Sequence, residues 1–402
     1  MSVGGLSEAR LGRMHEVMAG HVARGDAAGI VTLISRRGET HVDAIGAKSF
    51  GGEAIGRETI FRITSMTKPI IAVAAMILIE ECRLRLDDPV DGLLPELAGR
   101  RVLARIDGPL DETVPAARPI TVRDLLTFRM GLGAIFGPPG VYPIQKAIDA
   151  LEIVGFGPPD QATEIGPDEW LRRLGTLPLM HQPGERWMYN IGSCVLGVLI
   201  GRASGQSLER FVEERIFAPL GMKDTGFFVP EEKLDRLAAS YWVNSQTGAL
   251  ELYDGVLDSR WNRPPVFADG GAGLVSTIDD YAAFGQMMLE GGRHGRERIL
   301  SRPAVALMTS DHLTPAQKVA SAWFPGQWDN RGWGYGMAIV TGRDVLAAVP
   351  GRFGWDGGYG TSWASDPKEE MVAILMTQRA QFPFFSPLYL DFWASVYQAI
   401  DD

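Results

Sequence analysis

Strand-like segments stand at both ends of this 402-residue chain, with helical segments between them. Near the start, Ile30–Ser35 and His41–Ala47 are joined by a predicted hairpin turn at Arg36–Glu39. More strands are predicted towards the end, separated by turns rich in glycine, aspartate and proline: Tyr335–Val340, Val345–Val349, Gly360–Ala364 and Met371–Gln378. Strands from both ends predict one antiparallel sheet with a helical unit inserted into it.

Helical patterns complete this plan. They are predicted over Leu6–Arg24, Val122–Leu126, Asp168–Leu174, Cys194–Ala203, Leu208–Ile216 and Asp391–Ile400. The expected fold class is α/β, of the α+β type, with the sheet flanked by helices. We predict a discontinuous sheet domain formed by residues 1–90 and 275–402, and a mainly helical domain formed by residues 91–274.

The composition is that of a globular protein, with 46% hydrophobic and 22% charged residues. Because 49 acidic residues outnumber 39 basic ones, neither nucleic acid nor an anionic membrane is an expected partner. The longest apolar run, Pro69–Ile79, is about half of a membrane span, and Met1–Gly20 lacks the apolar segment of a secretion signal. We expect a soluble, cytoplasmic protein whose oligomeric state stays open.

Neither a metal nor another cofactor is expected. Cys82 and Cys194 stand in apolar helical contexts, so we predict buried core residues rather than a disulfide or zinc ligands. The sequence has no H-E-x-x-H motif, and no Walker A or G-x-G-x-x-G pattern lies between a predicted strand and a predicted helix.

The segment before the run Pro69–Ile79 carries the strongest chemical signal, because it contains Ser65 and Lys68. The run is apolar on every side, which predicts a buried helix whose start Thr64 or Ser65 can cap. At this spacing, Ser65 and Lys68 share one helix face. A serine becomes nucleophilic when a base takes its proton, and a lysine beside an apolar helix suits that role. The alternative interpretation is a helix cap beside a lysine that extends to solvent.

Two further segments can line a site. Pro183–Gly192 is a Pro-Gly loop that brings Trp187 and Tyr189 to the start of a predicted helix, where they can line a site. The alternative interpretation is that an aromatic side chain only fills the space where this loop meets the helix. Phe353–Trp363 places many glycines beside a strand, where a ligand can approach the backbone, or it forms a crowded hairpin. A second S-x-x-K match, Ser365–Lys368, contains Asp-Pro, so we interpret it as an exposed turn without a catalytic role.

Taken in this order, the three segments resemble the class C β-lactamase and penicillin-binding-protein superfamily, and most closely the family VIII carboxylesterases. The resemblance covers most of the chain and includes Ile120–Thr127 leading into Gly131–Leu132, Pro183–Glu185, Tyr189–Gly197, Pro219–Met222 and Gly270–Leu274. It implies a β-lactamase-like fold with the active site in the cleft between the two predicted domains. The implied activity is that of a serine carboxylesterase that binds a small-molecule ester.

The resemblance also implies residue roles. Ser65 takes the place of the nucleophile, Lys68 that of its partner, and Tyr189 that of the general base and later acid. A tyrosine can take a proton near neutral pH only when a cation such as Lys68 stabilises the phenolate. The implied oxyanion hole consists of the backbone N–H groups of Ser65 and Gly358.

The chain departs from the β-lactamase pattern at two places. Tyr189-Asn190-Ile191 replaces Y-x-N, so the asparagine comes one position early, and Trp355-Asp356-Gly357 replaces K-T-G or H-x-G. An indole has no charge to hold a substrate carboxylate, and Asp356 would repel an anion if it faced the cleft. This departure favours neutral esters. The predicted substrate-binding residues are Trp355, Phe136, Tyr142, Asn190 and Tyr359.

Other functions stay open at this point. The same site can serve a β-lactamase, a D-aminopeptidase or amidase, or an acyltransferase, and the fold can also serve as a non-catalytic ligand-binding module. An α/β-hydrolase is not supported because the sequence lacks G-x-S-x-G. A Ser-His-Asp triad would have to recruit one of the six histidines. Only His181 is near a candidate motif, and because it precedes a Pro-Gly loop we expect it to make a backbone hydrogen bond instead.

Overall fold

The computed structural model describes residues 2–135, 140–153, 165–244, 246–380 and 386–402. Over these residues, seven strands form one antiparallel sheet: β1 Gly29–Arg36, β2 Glu39–Gly46, β3 Arg331–Trp333, β4 Ala338–Val340, β5 Phe353–Gly357, β6 Thr361–Asp366 and β7 Met371–Thr377. Their order across the sheet is β3-β4-β5-β6-β7-β1-β2, so the first hairpin pairs with β7. The prediction of one antiparallel sheet built from both chain ends is confirmed.

Helices cover the sheet and fill the middle of the chain. They are α1 Glu8–Ala23, α2 Thr67–Glu80, α3 Val122–Leu126, α4 Pro143–Ala150, α5 Pro167–Thr176, α6 Ile191–Ser204, α7 Leu208–Val212, α8 Ala218–Leu220, α9 Ile278–Leu289, α10 Arg302–Met308, α11 Pro315–Ser321 and α12 Pro387–Gln398. A π-helical turn at Glu213–Phe217 joins α7 to α8, and 3₁₀ turns lie at Thr64–Met66, Val90–Gly92, Pro95–Leu97, Glu231–Arg236 and Arg260–Asn262.

Short strands pair outside the main sheet. Ser2–Val3 pairs with Leu6–Ser7, Phe61–Arg62 with Val275–Ser276, Arg101–Leu103 with Thr113–Pro115, and Arg293–His294 with Glu297–Arg298; Ser240–Val243 lies between Leu250–Asp254 and Arg379–Ala380. The pairing of Phe61–Arg62 with Val275–Ser276 ties the segment before Ser65 to a part of the chain more than two hundred residues away.

Strand β7 is apolar from Met371 to Met376 because helices cover both faces of the sheet. Side chains alternate between the two faces of a strand. Ala373 and Leu375 pack with residues of α1 and α12 on one face. Ile374 and Met376 join the main core with α2 and α9 on the other face. The sheet is therefore the middle layer between two helical layers.

Helix α2 lies in the middle of the main core, and its side chains from Thr67 to Leu78 are all buried. A sequence that is apolar on every side suits a helix with no face towards solvent. This helix packs against α6, which is also buried along most of its length. The packing fixes the start of α2, and with it Ser65 and Lys68, inside the protein.

Three predictions about local structure are wrong. Val345–Val349 forms no strand, because Ala348 donates its backbone N–H to the carbonyl of Val345 at 3.0 Å and the segment turns. Cys82 is exposed, because α2 ends at Glu80 and the backbone turns away at Cys82 with a φ of 58°. The helix predicted over Leu208–Ile216 has α-helical bonding only as far as Val212.

Within the described ranges, no helix combines the length and apolar character that crossing a membrane requires. The same ranges contain no group of three or more His, Cys, Asp or Glu side chains that could hold a metal ion. The predicted domain boundaries near residues 90 and 275 stay a prediction.

Candidate active site

Ser65 lies in a strained turn between the strand Phe61–Arg62 and α2. The preceding residue, Thr64, has a φ of 41°, a left-handed conformation that is costly for a β-branched residue. Two backbone hydrogen bonds hold the turn: Ile63 donates to Leu274 at 3.1 Å, and Met66 donates to Ile63 at 3.0 Å. Neither Thr64 nor Ser65 caps α2, contrary to prediction, because the capping position falls on Met66. The Ser65 hydroxyl is therefore available for another partner.

That partner is Lys68, which has no solvent exposure. Its Nζ donates to Ser65 Oγ at 3.0 Å and to the carbonyl oxygen of Gly271 at 2.6 Å. The same nitrogen lies 4.6 Å from the centre of the Tyr189 ring, a distance at which a cation is attracted to the π face. The structure therefore brings Ser65, Lys68 and Tyr189 into one contiguous group.

Tyr189 ends a loop and precedes α6 through a second strained turn. Asn190 has a φ of 81° and a ψ of −65°, and the N–H of Ile191 donates to the carbonyl of Tyr189 at 3.3 Å. These values define a γ-turn, which is rare in this form. The Tyr189 side chain is 7% exposed, and its hydroxyl oxygen accepts a hydrogen bond from Trp355 Nε1 at 2.8 Å.

The predicted substrate-binding residue Trp355 therefore contacts the candidate general base directly. It lies on β5, where neighbouring side chains point to opposite faces. Asp356 consequently faces α12: it accepts hydrogen bonds from Ser362 Oγ of β6 at 2.6 Å and from Tyr389 Oη of α12 at 3.2 Å. Burial raises the pKa of the Asp356 carboxyl, although the bond from Ser362 opposes this. Asp356 does not face the cleft, so its predicted repulsion of an anionic substrate has no basis.

Aromatic side chains surround Tyr189, and most of them were not identified from the sequence. We call them the tryptophan cluster: Phe128, Trp187, Trp323, Trp328, Trp333 and Trp355. Ring centres of Trp323 and Phe128 lie 5.4 and 5.8 Å from that of Tyr189. The indole nitrogens of Trp187, Trp328 and Trp333 are buried without a hydrogen-bond partner among the described residues. A signal was present in the sequence, because Trp323, Trp328 and Trp333 follow one another closely.

Gly358, the predicted second oxyanion donor, directly follows β5, which packs against the turn Thr64–Met66. A side chain on the neighbouring Gly357 would collide with the carbonyl oxygen of Ile63, so the strand end and the nucleophile's turn are in close contact. A Cβ on Gly358 would meet no atom within 4 Å. The arrangement is compatible with the predicted oxyanion hole, which stays a prediction.

The remaining predicted substrate-binding residues lie in different surroundings. The Tyr359 ring packs edge-on against Tyr253 and Trp261 at 5.3 and 5.9 Å between ring centres, and burial raises the pKa of its hydroxyl. Tyr142 is half-buried at the start of α4. Among the described residues, the hydrogen bonds and ring contacts of Tyr359 and Tyr142 do not involve Ser65, Lys68 or Tyr189. Phe136 lies outside the described residues.

The second S-x-x-K match has no active-site geometry. Ser365 is fully buried on β6, and its hydroxyl donates to the carbonyl of Gly285 at 2.9 Å. Lys368 is exposed in the turn that follows β6. The predicted exposed turn is correct only for Pro367 and Lys368, because Ser365 and Asp366 are buried at the end of β6.

Comparisons with known proteins point to one family. Residues 14–396 match the family described as Beta-lactamase. Protein Rv1367c of Mycobacterium tuberculosis is 39% identical over 360 residues, which cover 87% of this chain and 86% of the relative. Esterase EstB of Burkholderia gladioli is 30% identical over 391 residues, which cover 92% and 90% of the two chains. The solved structure of EstCE1, described as a hydrolase with promiscuous acyltransferase activity, superposes with a TM-score of 0.80 at 26% identity, covering 98% and 99%.

The chain therefore belongs to the beta-lactamase family, and it is an enzyme of the beta-lactamase-like hydrolases. The predicted family resemblance and the predicted fold class are both confirmed.

Proposed function

We propose that this protein is a serine esterase that cleaves neutral carboxylic esters through an acyl-enzyme on Ser65. The observation that carries the proposal is the contact between Lys68 Nζ and Ser65 Oγ at 3.0 Å, with the Tyr189 ring against the same nitrogen. A buried lysine between a serine and a tyrosine can stabilise the phenolate that takes the serine proton. The similarity to Esterase EstB supports the same reaction class.

In the proposed reaction, the Tyr189 phenolate, stabilised by Lys68, takes the proton of Ser65 Oγ as this oxygen attacks the ester carbonyl carbon. The carbonyl π electrons move to its oxygen, where the backbone N–H groups of Ser65 and Gly358 stabilise the negative charge. Collapse of this intermediate breaks the bond to the alcohol oxygen, which receives the proton from Tyr189. Water then repeats the sequence on the acyl-enzyme and releases the acid.

The preference for neutral esters rests on Trp355. Its indole N–H is already bonded to Tyr189, so it offers no charge and no free donor to a substrate carboxylate. A carboxylate left without a partner in a desolvated cleft costs several kcal/mol, roughly 10²-fold or more in rate. The partly exposed members of the tryptophan cluster, Trp323, Trp328 and Trp355, instead offer flat apolar surface, which suits alkyl or aryl groups.

Acyl transfer to an alcohol is the second candidate function. The two reactions share the acyl-enzyme and differ only in the acceptor that takes the acyl group. The tryptophan cluster around Tyr189 disfavours water near this general base, and it would favour an apolar alcohol as the acceptor of the acyl group. The description of EstCE1 as a hydrolase with acyltransferase activity supports this candidate.

A labelling experiment tests the nucleophile. After reaction with a fluorophosphonate probe, mass spectrometry is expected to place the adduct on the peptide that contains Ser65, and Ser65→Ala is expected to abolish both labelling and ester cleavage. An adduct on Ser362 or Ser365, or unlabelled but active protein, would contradict the assignment.

A panel of p-nitrophenyl esters and β-lactams tests the substrate class. A kcat/KM for a cephalosporin equal to that for the best ester would refute the preference for neutral esters.

A further inference from the structure

A tight turn supplies the backbone acceptor for Lys68. Gly271, whose carbonyl oxygen lies 2.6 Å from Lys68 Nζ, belongs to the turn that runs from Asp269 to Gly273. Asp269 closes this turn twice: its Oδ1 accepts from the N–H of Gly271 at 2.8 Å, and its backbone carbonyl accepts from the N–H of Gly273 at 2.9 Å. The position of the carbonyl therefore depends on Asp269.

The surroundings of Gly271 leave the turn little freedom. A Cβ on this residue would lie 2.8 Å from Cys194 Sγ, 3.1 Å from Asp269 Oδ1 and 3.2 Å from Asn190 Oδ1. The thiol of Cys194 donates to the backbone carbonyl of Asn190 at 3.8 Å, and burial, together with the nearby charge of Asp269, raises the pKa of this thiol well above its usual range. Cys194 and Asn190, from a distant part of the chain, therefore crowd Gly271, and the bond from its N–H to Asp269 holds it in place.

We propose that Asp269 is a positioning residue for the reaction: by bonding the N–H of Gly271, it fixes the carbonyl that orients Lys68 towards Ser65. This inference rests on the proposed function, in which Lys68 assists the nucleophile. Lys68 has no exposure, so a displaced carbonyl cannot be replaced by bulk water. A buried donor that loses its acceptor shifts towards another partner, and its bond to Ser65 Oγ changes with it.

Two substitutions at Asp269 separate its hydrogen bond from its charge. Asp269→Asn keeps an oxygen that can accept from Gly271, whereas Asp269→Ala removes it. We expect kcat for a p-nitrophenyl ester to fall about 10-fold in Asp269→Ala, with KM changed by less than about 2-fold, as for loss of one hydrogen bond that matters in the transition state. Asp269→Asn is expected to keep at least about a third of kcat. The rate of fluorophosphonate labelling of Ser65 should follow the same order.

Asp366→Ala is the matched control, because Asp366 Oδ1 accepts from the N–H two residues later, that of Lys368, at 3.0 Å in a turn at the end of β6. It is expected to leave kcat within about 2-fold of wild type, and thermal melts monitor folding in every variant. Equal kcat in Asp269→Ala and wild type would overturn the positioning role, as would an Asp269→Asn variant as slow as Asp269→Ala. Wild-type protein that takes up no probe would instead contradict the proposed function, and this inference with it.

Discussion

Replacing Trp355 by phenylalanine removes the hydrogen bond to Tyr189 and retains most of the aromatic surface. In the structure, Trp355 Nε1 donates to Tyr189 Oη at 2.8 Å, and the two ring centres lie 5.6 Å apart. Tyr189 must be a phenolate to take the proton of Ser65, so this donor favours the reactive form of the enzyme by about 1.5–3 kcal/mol, the range for hydrogen bonds to charged groups. The expected effect of Trp355→Phe is therefore a fall in kcat of roughly 10- to 150-fold, with little change in KM.

The assay is steady-state hydrolysis of a short p-nitrophenyl ester. Trp328→Phe is the matched control, because Trp328 belongs to the same tryptophan cluster and its indole nitrogen has no hydrogen-bond partner among the described residues. It makes the same chemical change without breaking a hydrogen bond, and we expect kcat within about 3-fold of wild type. If Trp355→Phe and Trp328→Phe reduced kcat equally, Tyr189 would not depend on the indole N–H, and the reasoning would fail.

Three further predictions follow from the contacts. Lys68→Ala and Tyr189→Phe should each lower kcat on the order of 10²-fold, and the double variant should be little slower than the slower single variant, because the two side chains act as one unit; additive losses would show that they act independently. Gly357→Ala should abolish ester cleavage because its Cβ collides with the carbonyl of Ile63 beside Ser65, whereas Gly358→Ala should retain fold and activity because its Cβ meets no atom within 4 Å. Burial lowers the pKa of His312 below its ordinary value of 6.5, so the unfolded chain binds a proton before the folded one does. The stability contributed by neutral His312 is therefore lost as the pH falls from about 6.5. His312→Phe, which retains the stacking on Tyr335, should lose less free energy of unfolding than wild type between pH 7 and pH 5 in urea unfolding, and identical pH profiles would refute this.

Secondary structure that depends only on the residues of one segment was predictable from the sequence. The strands of the first hairpin and β7 were found within one or two residues, because β-branched runs between turn residues are a local signal. Val345–Val349 has similar composition and forms no strand, since pairing depends on a neighbour that the segment itself does not specify. The environment of Tyr189 depends on residues as distant as Trp333 and Trp355, which is why most of the tryptophan cluster was not predicted. The orientation of Asp356 was predictable in principle, because it alternates with Trp355 along one strand.

The two residues that flank Lys68 in the site, Ser65 and Tyr189, are each next to a residue with a strained backbone, and the structure shows what enforces the strain at Thr64. Thr64 and Asn190 both have positive φ values, 41° and 81°, and each is adjacent to a proposed catalytic side chain. Conformations of this kind cost about 1–3 kcal/mol each and survive only where surrounding contacts enforce them. At Thr64 the enforcing contact is the bond from Ile63 to Leu274, which joins the turn to the segment that also carries Gly271. The same segment therefore holds the strained turn of Ser65 and supplies the carbonyl that accepts from Lys68. Because one segment holds both Ser65 and Lys68, their relative position is set by the fold rather than by the local sequence around Ser65. The S-x-x-K spacing alone is therefore not sufficient to form a site, as Ser365 shows.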